Sequence, residues 1–372
     1  VSFANMLMGA GEELNRAALQ DTLDEEQLDQ FLTMFPDWAP TSIKDEDLAR
    51  IFEGREPQGP GAAAQAYGQP GAQPGSNGWI VSGERSATGA PMLANDPHLA
   101  LSSPSIWFYA RLELEDGPVV GATSPGAPYV ILGRNAYGAW GSTNAAYDVQ
   151  DFVPADPSGA SIRQETINIA GGDPVVIDVA VTEDGPILQP EYFNLPENAG
   201  PLALRRTIDL GEGDNGGSIY AIMRSTGWES FRNALRGYVA PIQNFHYAGV
   251  DGTIGYMNAG LIPIRDEDGT WTGFVPFEDM PHVVNPQSGM IASGNNRVVS
   301  DAYPYPAPGR FFAYRALRIE ERLNAVERHD LDSFADLQMD VTSSFAQRVL
   351  PALRSARPET QAGLEALALL ED

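Results

Sequence analysis

Ser76, which follows a glycine-rich tract, is the residue of this chain best suited to act as a nucleophile. Residues 54–75 are almost entirely Gly, Pro, Ala and Gln, and the tract ends at Gly75. If the Gly75–Ser76 peptide bond were cut, Ser76 would carry a hydroxyl group and a free α-amino group together. That amine has an ordinary pKa of roughly 7.7–8.0, which suits a general base near neutral pH. Such a residue needs no histidine or carboxylate partner.

Two simpler interpretations of Ser76 remain open at this stage. Ser76 could merely begin a strand after a linker, and spacing alone favours that reading. A conventional serine triad also stays possible, although it has no local motif to support it. The chain has no G-x-S-x-G, H-E-x-x-H or G-x-x-x-x-G-K-[ST] pattern, and its four histidines are His98, His246, His282 and His329. Glycine before a cut would tolerate the unusual backbone angles that self-cleavage needs.

Composition predicts a globular protein and excludes several partners. The 372 residues are 43% hydrophobic and 20% charged, enough for one large layered domain or two ordinary ones. A formal charge of −27 would repel phosphate backbones and anionic lipids, so we expect neither a nucleic-acid nor a membrane partner. Without cysteine there are no disulfides, thiolate metal sites or cysteine nucleophiles. With no leader or long apolar run, we expect a mature or truncated piece of a soluble protein.

The secondary structure that must position Ser76 is predicted to differ from one part of the chain to the next. Apolar spacing over residues 3–33 predicts two helices with a turn near Asp21, and the tract that follows predicts a flexible spacer. Short β-branched and aromatic runs predict strands after Ser76, including "WIVSG", "SIWFYARLEL", "YVILGRN" and "PVVIDVAVT". Helical patterning returns at residues 228–238 and from about 313 to 353. We therefore expect an α+β protein whose sheets are covered by helices.

Several segments resemble the penicillin acylase family, which includes penicillin, cephalosporin and acyl-homoserine lactone acylases. They are "SNGWIVSGERSATGAPMLANDPHLAL", "PGAPYVILGRNAYGAWGSTNAAYDVQDF", "APIQNFHYAGVDGTIGYMNAGLIPIR", "GFVPFEDMPHVVNPQSGMIASGNNRVV" and "GEELNRAAL". The resemblance implies a four-layer αββα N-terminal-nucleophile hydrolase fold, incomplete at both ends. It also implies a precursor divided into residues 1–53 of a helical small (α) subunit, an excised spacer 54–75, and residues 76–372 of the large (β) catalytic subunit.

The same resemblance assigns the catalytic groups. Ser76 is implied to be the nucleophile, exposed by cleavage at Gly75–Ser76. The oxyanion hole is implied to use the backbone N–H of Asn144 in "WGSTN" and the side chain of Asn244 in "QNF". His98 in "NDPHL" could hydrogen-bond Ser76 or be structural. Arg265 in "IPIR" matches a family arginine near the active site, with a surface salt bridge as its alternative role.

A structural calcium ion and an acyl pocket are also implied by resemblance. The calcium ligands would be Asp148, the carbonyl of Gln150 and Asp151, together with Glu12, or its neighbour Glu13 if the alignment slips by one. Carboxylate and carbonyl oxygens are the ligands that Ca²⁺ prefers. Leu99 and Leu132 fall at pocket positions, and because both are apolar, an apolar acyl group is favoured over an anionic one.

The expected function is therefore hydrolysis of an amide between an apolar acyl group and an amine such as a homoserine lactone or a β-lactam nucleus. The expected protein is an α/β heterodimer from one precursor, acting on a small acyl amide in the periplasm or outside the cell. Two alternatives remain. One is a non-catalytic binding or assembly module with an uncleaved linker, and the other is a conventional serine hydrolase using one histidine.

Overall fold

A computed structural model describes residues 38–55, 75–99, 102–189, 200–210, 213–266, 269–309, 311 and 313–370. The helices predicted within residues 3–33, and most of the predicted spacer, lie outside these ranges. In the described part of the chain, no helix combines the length and apolar character needed to cross a bilayer.

Strands dominate the middle of the chain, as the short β-branched runs predict. They are β1 Gly75–Val81, β2 Met92–His98, β3 Phe108–Leu114, β4 Gly117–Thr123, β5 Leu132–Arg134, β6 Gly138–Asn144, β7 Gln150–Pro154, β8 Ser161–Ile167, β9 Val175–Thr182, β10 Gly185–Pro186, β11 Leu202–Arg206, β12 Gln243–Gly249, β13 Ile254–Ala259, β14 Pro263–Arg265, β15 Trp271–Phe274, β16 His282–Val284 and β17 Met290–Ser293.

Among the described residues, one helix precedes the strands, three lie between β11 and β12, and four follow β17. They are α1 Asp45–Ile51, α2 Thr207–Leu210, α3 Asn215–Met223, α4 Trp228–Ala234, α5 Ala313–Asn324, α6 Leu331–Gln338, α7 Ser344–Arg354 and α8 Gln361–Ala368. The helical pattern predicted from about 313 to 353 is thus three helices. Asp330 begins α6 with a capping box, in which its side chain accepts from the backbone of Ser333.

Two antiparallel sheets form the centre of the fold. The small sheet has the order β17-β1-β2, and the large sheet has the order β16-β13-β12-β6-β5-β4-β3. Further short pairings join β8, β9 and β10, β7 with β11, and β14 with β15. Ser76 lies in the central strand of the small sheet, opposite Pro97.

The side chains of β1 alternate between two environments, as a strand buried on both faces requires. On one face, Gly78 lies against the ring of His246 from β12 in the large sheet, and Ile80 joins the main hydrophobic core. On the other face, Trp79 packs with Phe334 of α6. Because Ser76 has the same parity as Gly78 and Ile80, its side chain belongs to the face between the two sheets.

The large sheet shows the matching alternation on β12. Asn244 and His246 face the small sheet, as their contacts with Ser293 and Gly78 show. Phe245 and Tyr247 face the other way, and both rings contact Phe231 of α4. Helices therefore cover the outer face of each sheet, which confirms the predicted α+β class and the αββα layering.

The start of β1 differs from the sequence prediction by one residue. The residue pattern predicts a strand that begins at Ser76, whereas the strand begins at Gly75, which pairs with His98 of β2. The strand therefore runs across the bond at which cleavage is predicted. A glycine-rich tract gives no apolar signal for its last residue, so only the pairing partner reveals that Gly75 is in the sheet.

Gly78→Ala tests the close approach of the two sheets. A Cβ at Gly78 would lie 2.8 Å from the His246 ring, which is fully buried and cannot retreat into solvent. We expect a loss of about 1–3 kcal/mol in the free energy of unfolding, measured by urea denaturation. Gly273→Ala on β15 is the matched control, because its new Cβ would meet nothing within 4 Å. Equal losses in both variants would contradict this account.

Candidate active site

Asn295 connects the candidate nucleophile to the large sheet. Ser76 is 8% exposed, and its backbone N–H donates to Asn295 Oδ1 at 2.7 Å. The Asn295 Nδ2 donates in turn to the carbonyl of Asn144 at 2.8 Å. Asn295 follows β17 with a φ of +62°, a left-handed conformation that asparagine adopts more readily than most residues. One side chain thus fixes the position of Ser76 relative to the end of β6.

A cation lies directly beside Ser76. Arg315 of α5 donates from Nη1 to the Ser76 carbonyl and to Asn77 Oδ1, and from Nη2 to Asn295 Oδ1, each at 2.7 Å. Burial lowers the pKa of Arg315 to about 10, and the nearby Asp96 carboxylate opposes that shift. The guanidinium therefore remains charged at neutral pH, and it binds the carbonyl of Ser76 as well as the Asn295 side chain that accepts from the Ser76 N–H.

Asn244 is held in one orientation by buried partners. Its Oδ1 accepts from Asn258 Nδ2 at 2.5 Å, and Asn258 Oδ1 accepts from the Tyr147 hydroxyl at 3.0 Å. Both asparagines are fully buried. The Asn244 Nδ2 is therefore directed to the other side, where its acceptors are Thr143 Oγ1 at 2.9 Å, the Asn144 carbonyl at 3.3 Å and Ser293 Oγ at 3.3 Å.

His98 lies over Gly75 at the predicted cleavage bond. A Cβ built on Gly75 would be 2.7 Å from His98 Nε2 and 2.9 Å from Arg315 Nη2. A side chain at position 75 would have to displace the ends of these two side chains, so limited space favours glycine here in addition to the backbone freedom suggested by the sequence. The His98 Nδ1 lies 3.1 Å from the Asp96 carbonyl. Burial, followed by the charge of Arg315, lowers the pKa of His98, so its imidazole is mainly neutral near pH 7.

Arg265 and two predicted calcium ligands come together in the structure. The guanidinium of Arg265 pairs with Asp148 at 3.1 Å and with Asp151, and it lies over the ring of Trp271. The resemblance assigns these residues to two different sites, catalytic and metal. In the structure they form a single cluster, in which one positive charge compensates two carboxylates.

The described residues do not by themselves fit a calcium site. Carboxylates are suitable ligands for Ca²⁺, but Asp148 and Asp151 are both engaged by Arg265. Over the described ranges, no group of three or more His, Cys, Asp or Glu side chains could hold a metal ion. Gln150 lies on β7 opposite Arg206, and Glu12 and Glu13 lie outside the described residues. The calcium ion stays a prediction.

The two predicted pocket residues lie in different parts of the fold. Leu99 is half-buried and follows His98 directly at the end of β2. Leu132 is buried at the start of β5, opposite Ala122 of β4. Leu99 is thus next in sequence to the site, whereas Leu132 lies two strands from β12 in the large sheet.

Comparison with known proteins identifies the family. A profile described as penicillin amidase matches residues 1–372. This chain belongs to the penicillin amidase family. It is 29% identical over 299 residues to penicillin acylase 2 proenzyme of Pseudomonas sp. strain SE83, an alignment covering 72% of this chain and 38% of that protein. It is 28% identical over 309 residues to acyl-homoserine lactone acylase QuiP of Pseudomonas aeruginosa, covering 74% and 36%.

A solved structure shares the fold of this penicillin amidase family member. Thermostable penicillin G acylase from Alcaligenes faecalis matches with a TM-score of 0.65 and 22% identity, covering 80% of this chain and 59% of that one. The chain spans less than two fifths of the length of the two curated relatives. The likeness at this identity establishes the fold, and the activity of the whole protein is a separate proposal.

Sequence reasoning gave no role to three residues that the structure brings to the site of this family member: Asn258, Asn295 and Arg315. Asn295 lies in the segment "SGNNRVV", where two adjacent asparagines after a glycine are the only local signal. Arg315 lies in a helical pattern in which arginine normally faces solvent. Their roles depend on contacts with residues 14, 219 and 239 positions away, so local patterns could not reveal them.

His246 is a buried titratable group immediately behind the site. It is fully buried, its ring meets Tyr256 edge-on at 5.3 Å between centroids, and neither ring nitrogen has a hydrogen-bond partner among the described residues. Burial lowers the pKa of His246 to about 4. Backbone groups of Gly141 and Asn244 oppose the shift, although neither meets hydrogen-bond geometry.

The low pKa of His246 predicts a loss of stability in acid. Above its ordinary pKa of roughly 6.5, the imidazole is neutral in both the folded and unfolded states. As the pH falls from there towards about 4, only the unfolded chain takes up the proton, so the free energy of unfolding falls. The contribution is ~3 kcal/mol at most.

Chemical denaturation at several pH values measures this effect. His246→Gln, which cannot be protonated, should show a shallower acid decline than the wild type by up to ~3 kcal/mol. Carboxylates elsewhere act on both proteins alike, so the difference between the curves isolates His246. Parallel curves would show that His246 is not kept neutral by burial.

Proposed function

We propose that this chain is the central part of an acylase that uses Ser76 as an N-terminal nucleophile. The substrate would be an amide between an apolar acyl group and an amine, such as a homoserine lactone or a β-lactam nucleus. The relatives named above as penicillin and acyl-homoserine lactone acylases support that substrate class. The observation that carries the proposal is the hydrogen-bonded chain from Ser76 through Asn295 to Asn144 and Asn244.

Maturation would produce the catalytic amine. Hydrolysis adds one water across the Gly75–Ser76 bond, leaving a carboxylate on Gly75 and an α-amino group on Ser76. A second hydrolysis, of the Glu53–Gly54 bond, would then release residues 54–75 and leave residues 1–53 in the small subunit and residues 76–372 in the large subunit of an α/β heterodimer. The close approach of His98 and Arg315 to Gly75 supports cleavage at a bond that lies within the candidate site.

Acyl transfer would proceed through an ester on Ser76. The Ser76 hydroxyl attacks the substrate carbonyl while the α-amino group takes its proton, and the protonated amine then delivers that proton to the departing nitrogen. The Asn244 Nδ2 and the backbone N–H of Asn144 would donate to the oxyanion. A water molecule, activated by the same amine, then hydrolyses the ester. The contact with Asn258 that fixes the Asn244 amide supports this role, because the oxyanion would only have to replace one of the present Nδ2 acceptors.

The remaining assignments are proposals of the same kind. His98 lies beside the predicted cleavage bond, which supports a hydrogen-bonding role towards Ser76. Leu99 and Leu132 would contact the acyl group, and the protein would act in the periplasm or outside the cell. A structural Ca²⁺ ion bound by Asp148, Gln150, Asp151 and Glu12 would first have to displace Arg265 from the two carboxylates.

An uncleaved binding or assembly module is the second candidate. The observation in its favour is that β1 runs without interruption through the Gly75–Ser76 bond. The two functions differ in whether that bond survives in the purified protein.

Intact mass spectrometry of the full-length precursor tests cleavage at Gly75–Ser76. We expect two chains from the wild type and a single chain from Ser76→Ala, because the variant lacks the hydroxyl group that attacks. Ser161→Ala, on the exposed strand β8, is the control and should be cut normally. An uncut wild type with no amide turnover would favour the binding module, and an uncut wild type with turnover would remove Ser76 as nucleophile.

The cut protein should then hydrolyse acyl-homoserine lactones or penicillin G faster than glutaryl amides, because both predicted pocket residues are apolar. In the same assay, His98→Ala distinguishes a conventional serine hydrolase. Loss of activity without loss of maturation would favour that reading.

Asn244→Ala tests the proposed oxyanion donor. Loss of one donor should lower kcat by about 10²–10³ with a smaller change in KM, since the interaction strengthens as the oxyanion forms. Asn144→Ala is the matched control, because only the backbone N–H of Asn144 is proposed to act. Steady-state kinetics on matured protein gives both values. A drop of similar size in the two variants would contradict the assignment.

A further inference from the structure

We propose that Arg315 keeps the α-amino group released on Ser76 uncharged near neutral pH, and so makes it ready to accept a proton. The inference rests on the proposed function of Ser76. Arg315 would be a positioning residue, since it acts through the amine of Ser76 and through Asn295 rather than on the substrate.

The geometry places a permanent charge next to the atom that would become the amine. The Ser76 nitrogen and Arg315 Nη2 each lie 2.7 Å from the same oxygen, Asn295 Oδ1. Arg315 Nη1 lies 2.7 Å from the Ser76 carbonyl. Because Ser76 is buried, water screens the two groups only weakly.

A neighbouring cation disfavours protonation of an amine. A charge within a few ångströms typically shifts a pKa by about 1–3 units, and the ordinary α-amino pKa is roughly 7.7–8.0. Without such a shift, much of the amine would be protonated at neutral pH and unable to act as a base. With the shift, most of it is free to take the serine proton.

The charged and titratable groups around the amine determine whether its pKa is raised or lowered. Arg315 approaches the amine from α5. Asp96 lies on β2 opposite Asn77, and its negative charge opposes the effect of the Arg315 charge on the pKa of the amine. His98 on β2 and His246 on β12 have lowered pKa values and are mainly neutral near pH 7. Asp96 is 36% exposed and therefore better screened than Arg315, so the net effect of the pair is positive.

Arg315 also orients the acceptor that holds the amine. Asn295 Oδ1 accepts from both Arg315 and the Ser76 nitrogen, and Arg315 further holds Asn77 Oδ1. After cleavage, an N–H of the amine can keep the bond to Asn295 while its lone pair stays available. A purely structural clamp would predict loss of stability on removal of Arg315, but no directed change in pH dependence.

The test is the pH dependence of kcat/KM in matured protein. Loss of the charge in Arg315→Gln should raise the pKa of the acid limb by about 1 unit, which is about a tenfold loss of activity on the acid side that is recovered in alkali. Arg315→Lys keeps the charge and should leave the limb near its wild-type position. Asp96→Asn removes the opposing negative charge and should lower the pKa of the acid limb. Arg318→Gln is the control, because Arg318 lies on the same helix but pairs with Asp340, and this variant should leave the pKa of the acid limb unchanged.

If Arg315→Gln does not mature, a second variant with an isosteric change tests the same inference. Asn77→Asp keeps an acceptor for Arg315 and neutralises its charge in place, so it should raise the acid-limb pKa in the same direction. An unmoved limb in Arg315→Gln or Asn77→Asp, or equal shifts in Arg315→Lys and Arg315→Gln, would overturn the inference. If the wild type is cut and active, the proposed function of Ser76 still holds in that case. An uncut wild type has no α-amino group on Ser76 and would overturn both proposals.

Discussion

The packing of Gly78 against His246 determines how closely the two sheets approach beside Ser76. No side chain larger than hydrogen fits between β1 and the imidazole, so β1 lies close against β12 at this point. That approach lets polar groups at the ends of the two sheets reach one another within hydrogen-bond distance. Asn295, Asn144 and Asn244 can form a connected set only because the strands that carry them are held at this separation.

The site depends on buried amides rather than on a histidine and a carboxylate. Asn244 and Asn258 are fully buried and bonded to each other, and Tyr147 completes their hydrogen bonds. A buried amide left without partners would cost about 1–3 kcal/mol, so these contacts stabilise the fold as well as orient a donor. The same residues therefore serve stability and the proposed chemistry, and neither role can be read from one residue alone.

The distribution of charge near the site contrasts with that of the whole protein. The chain carries a formal charge of −27, yet the side chains that hydrogen-bond to Ser76 among the described residues are the neutral amide of Asn295 and the guanidinium of Arg315. Elsewhere, arginines pair with carboxylates, as Arg265 does with Asp148 and Asp151. Arg315 instead donates to a carbonyl and two amide oxygens. Its charge is therefore less compensated by direct partners than that of Arg265.

The sequence by itself determined the fold class and the strand pattern after Ser76, because these depend on local periodicity, and its resemblance to a family implied the candidate nucleophile. The same resemblance implied Asn144 and Asn244, and in the structure the Asn244 Nδ2 lies 3.3 Å from the Asn144 carbonyl oxygen. It did not find Asn295, Asn258 or Arg315, and it separated Arg265 from the carboxylates that it contacts. Ser76 is 219 positions from Asn295 and 239 from Arg315. Only the tertiary structure could join them, because such contacts depend on how the sheets and α5 pack and leave no periodic trace in the chain.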